Sequence, residues 1–111
     1  MKVYRGSRPV LPDGRPAGGP AVVTVNGAPI NPRWDLRNHS PDGFQWGYSG
    51  SGPAQLALAI LADHLGDDER AIEFYQQFKR ERIATIRENE WELTDAVISR
   101  WWADYASKNS D

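Results

Sequence analysis

The chain has no cysteine, so disulfides, thiolate metal sites and a cysteine nucleophile are excluded. It has only two histidines, and without further paired ligands they are a weak metal signal; no cofactor is implied. No stretch approaches the roughly 20 apolar residues of a membrane span. The longest mostly apolar run, residues 54–62, is short and is interrupted by Gln55. The opening "MKVYRGSRPV" holds no apolar run of secretory length, and a cytoplasmic setting is expected. After residue 53 there is no proline, and Gly66 is the single glycine. All eight prolines and the other nine glycines lie before residue 54.

That imbalance divides the 111 residues into a turn-rich front and a helical back, within one expected domain spanning 1–111. Charge is divided too. Residues 1–62 carry a net +3 and residues 63–111 a net −5, for a total of −2. Neither half shows the dense basic stripe of a nucleic-acid binder, so nucleic acid is not an expected partner.

In the front half, "MKVYRG" predicts a short strand around Val3 and Tyr4. Residues 7–20, with four prolines and three glycines, read as a flexible surface loop outside any regular element. Irregular proline spacing argues against a polyproline ligand. "AVVTV" predicts a strand, and the "NG" after it is the strongest short hairpin signal. Pro29 and Pro32 confine the next segment to a sheet edge or a loop. "RWDLRNHSPDGFQWGY" predicts a second hairpin turning at "SPDG", with Phe44, Trp46 and Tyr48 on one face.

The back half predicts three helices. Pro53 suits the first helical position, which makes Gly52 the expected N-cap. "AQLALAILADHL" is apolar nearly all round and should be the buried central helix, closed by Gly66. Asp67 or Asp68 caps a second helix, whose stripe is Ala71, Ile72, Tyr75, Phe78, Ile83 and Ile86. "ENEWELT" suggests a further strand, and Thr94 caps a last helix through "DAVISRWWADYAS". The expected architecture is α+β: a small, mostly antiparallel sheet from the N-terminal half packed against three helices of the C-terminal half.

Three groups carry candidate chemistry. The loop around Ser49, Gly50, Ser51 and Gly52 precedes a helix N-terminus, where free N–H groups favour an anion. It lacks the lysine of a phosphate-binding P-loop, and Pro53 removes a donor. The plain alternative is a tight strand-to-helix connection. Arg37 and His39 join this group as candidate ligand contacts. With Asp35 and Ser40, His39 also suggests a base and a nucleophile. Adjacent strand residues face opposite ways, however, so bonds to turn backbone are the favoured account of these side chains, and no catalytic residue is assigned. His64, near a helix end, suits a charged imidazole against the dipole. The third group is aromatic. Trp101, Trp102 and Tyr105 give the last helix an apolar arc wider than one contact requires, which marks a candidate partner surface.

The segments "DLRNHSPDGFQWGYSGSGPAQLALAILADHLGDDERAIEFYQQFK", "KVYRG" and "WELT" resemble a family of small bacterial, plasmid and phage proteins classed as a domain of unknown function. The likeness covers most of residues 1–6 and 34–98 and carries no established activity with it. It implies a mobile-element context, in which small proteins often bind host machinery. The expected function is therefore non-enzymatic binding of a protein partner, as in a phage or plasmid inhibitor of a host defence system, with a homodimer as one form of partner. The alternative is a small-ligand or nucleotide-binding domain built on the SGSG loop.

Overall fold

The alternation of buried and exposed residues in the first strand sets the sheet. In the computed structural model, which describes residues 1–108 and side chains as far as Tyr105, β1 runs Val3–Ser7 with Tyr4 and Gly6 turned inward. β2 (Val22–Val25) pairs antiparallel with it, then turns through Asn26 and Gly27 into β3 (Ala28–Pro29). Both turn residues have positive φ, as a tight two-residue hairpin demands. β4 (Glu90–Thr94) joins the other side of β1, giving the antiparallel order β3-β2-β1-β4. The fold is α+β as the sequence implies, with the fourth strand supplied from the back half.

The helix α1 (Ser51–Leu65) is the centre of the core, and every residue from Gly52 to Ala62 is buried. Its apolar side chains form one cluster with Tyr4 and Val23 of the sheet and with Ala71, Tyr75 and Phe78 of α2 (Asp68–Phe78). Tyr4 is fully buried, and its hydroxyl donates to Asp63 at 2.7 Å, while Lys2 Nζ reaches the same carboxylate at 3.1 Å. Burial first, then the bond to Asp63, pushes the Tyr4 hydroxyl far above its ordinary range, so it stays protonated. The sequence places the N-cap of α1 at Gly52. It is Gly50, and Pro53 sits one turn in. Proline is tolerated there because none of the first four N–H groups has a helical partner.

Gly66 closes α1 in the left-handed conformation (φ 64°), with its N–H on Ala62 O at 3.0 Å. Gly66→Ala should cost about 1 kcal/mol, from the strain of a Cβ at that φ. Urea titration measures it, and an unchanged midpoint would show that the helix end can be rebuilt without the left-handed cap.

Asp67 caps α2 by accepting from Arg70 N. The expected long second helix does not continue regularly. Lys79–Ile83 forms a π-helical turn. The reason lies in the spacing: Phe78 and Ile83 are five residues apart, and the wider turn lets both face the core fully buried. α3 (Asp95–Lys108) begins at Thr94, whose hydroxyl accepts from Val97 N.

Residues 8–20 hold no helix or named strand, and a few bonds tie the segment down. Val10 and Pro16 form an isolated antiparallel bridge, Ala17 N donates to Pro9 O, and Asn89 Nδ2 donates to Gly14 O. Two further expectations are corrected. The second hairpin over residues 33–48 does not form. Its SPDG turn closes, with Gly43 N on Ser40 O, but Arg33 takes a positive φ and the flanking backbone bonds elsewhere. Phe44 and Trp46 are buried, whereas Tyr48 is 52% exposed and Trp34 47%. Finally, desolvation lowers the His64 pKa and so favours the neutral imidazole over the charged form expected at a helix end. His64 Nε2 and Ser99 Oγ lie 3.2 Å apart and share a hydrogen bond.

Candidate functional site

The segment between β3 and α1 is organised by a side chain that registers in the sequence only as an interruption of an apolar run. Gln55 is fully buried in α1. Its Oε1 accepts from His39 N at 2.8 Å and Ser40 N at 3.2 Å, and its Nε2 donates to Pro32 O at 2.6 Å and Arg37 O at 3.0 Å. One amide thus satisfies four backbone groups, in place of a strand ladder. The only sequence signal for it is a lone amide inside an apolar helix.

The polar cluster around this loop is divided among separate partners. Arg33 binds Asp35 and, with both terminal nitrogens, Asp68 at the start of α2 (2.8 and 3.0 Å). The Arg33 bond holds the Asp35 carboxyl below its usual range, and the same contacts raise the Arg33 pKa. The His39 ring Nε2 and the Tyr75 hydroxyl share a hydrogen bond, so Asp35 does not orient His39. Ser40 Oγ donates to Gly43 O at 2.6 Å. Arg37 is exposed and donates to Leu36 O. These side chains fasten the loop to itself and to α2, and they assemble no nucleophile and base.

Beside them lies a cleft of about 520 Å³, lined by Ser40, Asp42, Gln45, Tyr48, Ser51 and Gly52 among others. Of the six ligand candidates, Ser51 and Gly52 face this cleft. Ser49, Gly50, Arg37 and His39 are not part of its lining. No basic side chain lines it, and Asp42 brings negative charge close to the helix start. Gly52 itself answers to packing: a Cβ there would meet Gln45 Cβ at 2.8 Å. A side chain at 52 would push against the Gln45 backbone and the stem of its side chain whether or not anything is bound.

The aromatic residues of α3 separate into two roles. Trp101, grouped in the sequence with Trp102 and Tyr105 as partner-facing, points instead into the core and is 4% exposed. It packs edge-on against Phe78 at 4.9 Å and donates from Nε1 to Glu81 at 3.0 Å. Trp102 and Tyr105 are half-buried. Both meet the edge of Phe74, at 5.1 and 5.6 Å between ring centroids. The Arg70 guanidinium stands over Trp102 at 5.9 Å. Next to this rim, Glu69, Arg70, Glu73 and Phe74 line a hollow of about 380 Å³. Aromatic faces, one cation and a hollow thus meet at the border of two helices.

No helix of the described chain is long and apolar enough to cross a membrane. The family model described as "Family of unknown function (DUF6166)" matches residues 4–104, and the chain belongs to that family. The match takes in the excursion at 7–20 and, apart from Lys2 and Val3, the segments on which the resemblance rests. No curated protein and no solved structure matches the chain.

Proposed function

We propose that this member of the DUF6166 family is a small non-enzymatic interaction protein that binds a protein partner through the rim of Trp102, Phe74 and Tyr105. The observation that carries the reading is the half-buried Trp102, held between the Phe74 edge and the Arg70 guanidinium. A tryptophan fixed in this way loses little freedom on binding and still offers apolar area to a partner. Inhibition of a host defence system by a phage- or plasmid-encoded protein in the cytoplasm is the specific form we favour. A second copy of the chain is the alternative occupant. A second reading, a small ligand in the cleft at Ser51 and Gly52, rests on the size of that cleft. Its uncharged and acidic lining suits a neutral polar molecule better than a nucleotide.

The test is Trp102→Ala. Melting should show a folded protein. Association, read by light scattering for the homodimer and by quantitative capture from a bacterial lysate for a host partner, should weaken roughly thirty-fold, the equivalent of about 2 kcal/mol. Loss of folding, or a wild-type chain that neither self-associates nor captures any protein reproducibly, would end the rim reading.

A further inference from the structure

The four-stranded sheet has two open sides, and the chain treats them differently. β3 is two residues long, and in the Thr24–Pro29 pair it is Pro29 that turns its backbone outward, with no N–H to offer. β4 is five residues long. Arg8 N donates to Asn89 O at 3.2 Å, and Asp95 N donates to Lys2 O at 2.9 Å. Tyr4 and Gly6 lie between, paired with Leu93 and Trp91. The antiparallel alternation therefore directs the backbone of Asn89, Trp91 and Leu93 at β1. The N–H and C=O groups of Glu90 and Glu92 face away from the sheet, and both residues are exposed. Among the described residues no strand lies beyond them.

The side chains along this side are acidic at every second position: Glu88, Glu90 and Glu92. Glu92 is paired with Arg5 at 2.9 Å, and Glu90 has no ion-pair partner among the described residues. On the adjoining outer face of the sheet, Arg5, Ser7, Val22, Thr24, Glu90 and Glu92 border a hollow of about 510 Å³ that spans β2, β1 and β4.

The acids select the occupant. If a second copy brought its own β4 antiparallel, centring the pair on residue 92 would set Glu92 against Glu92, and centring it on 91 would set Glu90 against Glu92. Like charges directly opposite are unfavourable in a sheet. The same charges attract a strand with cations at alternate positions. We propose that the open side of β4 takes an extended segment of another protein as a fifth strand, with Lys or Arg at alternate positions facing Glu90 and Glu92. This surface shares no residue with the Trp102 rim and does not depend on it.

The experiment titrates the full ¹⁵N-labelled chain with a short peptide of alternating lysine and valine, and with a control carrying glutamate in place of lysine. The lysine peptide should slow hydrogen exchange at the Glu90 and Glu92 amides about tenfold, and binding should fall as salt is raised from about 0.05 to 0.5 M. The glutamate peptide should leave these amides unchanged. Glu90→Lys, which loses no ion pair, should remain folded, weaken the lysine peptide about tenfold and admit the glutamate peptide. Trp102→Ala should bind the lysine peptide as the wild type does. Absence of protection at Glu90 and Glu92, equal binding of both peptides, self-association through this side, or loss of peptide binding in Trp102→Ala would each overturn the proposal.

Discussion

Gln55→Ala is expected to destabilise the protein by about 3–5 kcal/mol, a large loss for one exposed-loop anchor. The side chain is wholly buried and serves Pro32, Arg37, His39 and Ser40 at once. Removing it leaves two N–H and two C=O groups without a partner, each costing about 1–3 kcal/mol if no water reaches it. Some water will enter the space, so the total falls short of the sum. Denaturant titration measures the loss, and hydrogen exchange at the His39 and Ser40 amides should rise with it. Gln55→Glu provides a sharper test. A carboxylate still accepts from the two N–H groups but faces the carbonyls of Pro32 and Arg37 with no proton to donate. Burial raises its folded pKa above the unfolded value, so this variant should recover stability as pH falls and the carboxyl becomes a donor. A cost under about 1 kcal/mol for Gln55→Ala would mean that the loop holds itself and that the amide merely conforms to it.

The same residue explains where sequence reading stops. Strands β1, β2 and β4 were legible because each pairs locally patterned residues with neighbours of the same pattern. Helix α1 was legible from its unbroken apolar run, and its end from Gly66. Residues 33–48 carry an alternation just as clear, with Phe44 and Trp46 buried two residues apart and Tyr48 exposed. Alternation, though, is satisfied by any extended segment with one side against a core. Whether such a segment pairs as a hairpin depends on where its backbone bonds go, and here they go to an amide on the next helix in the chain. The break in α2 had a visible trace in the five-residue step from Phe78 to Ile83, which fits neither three- nor four-residue spacing. The sign of His64 was not legible. A helix C-terminus favours its charge, but desolvation lowers its pKa, and desolvation depends on what packs around the ring. The aromatic rim was half legible. Two adjacent tryptophans on a helix point about 100° apart, so one was bound to lie nearer the core, but which one is decided by Phe78 and Glu81 on the preceding turns.

That assignment yields the second large effect. Trp101→Ala should cost about 3–5 kcal/mol, the range for deleting a buried aromatic side chain. Trp101 is 4% exposed, lies edge-on to Phe78, and stacks on Tyr105 with centroids 5.3 Å apart and planes inclined by 15°. Its removal opens a cavity between α3 and the π-helical turn and takes away the donor bound to Glu81. The freed carboxylate is on an exposed residue and can be hydrated, so the penalty is mainly one of packing. Trp101→Phe, which keeps a ring against Phe78 and Tyr105 and loses the Nε1 bond, should cost less than the alanine change, about 1–2 kcal/mol. Trp102→Ala, at the half-buried rim, should cost about 1 kcal/mol and act on association instead. Urea titration of the three variants separates these cases. Equal losses for Trp101→Ala and Trp102→Ala would place both rings in the core and leave the rim without its anchor. A small loss at Trp101 would mean that α3 is held mainly by its other core residue, Ile98, which is 1% exposed.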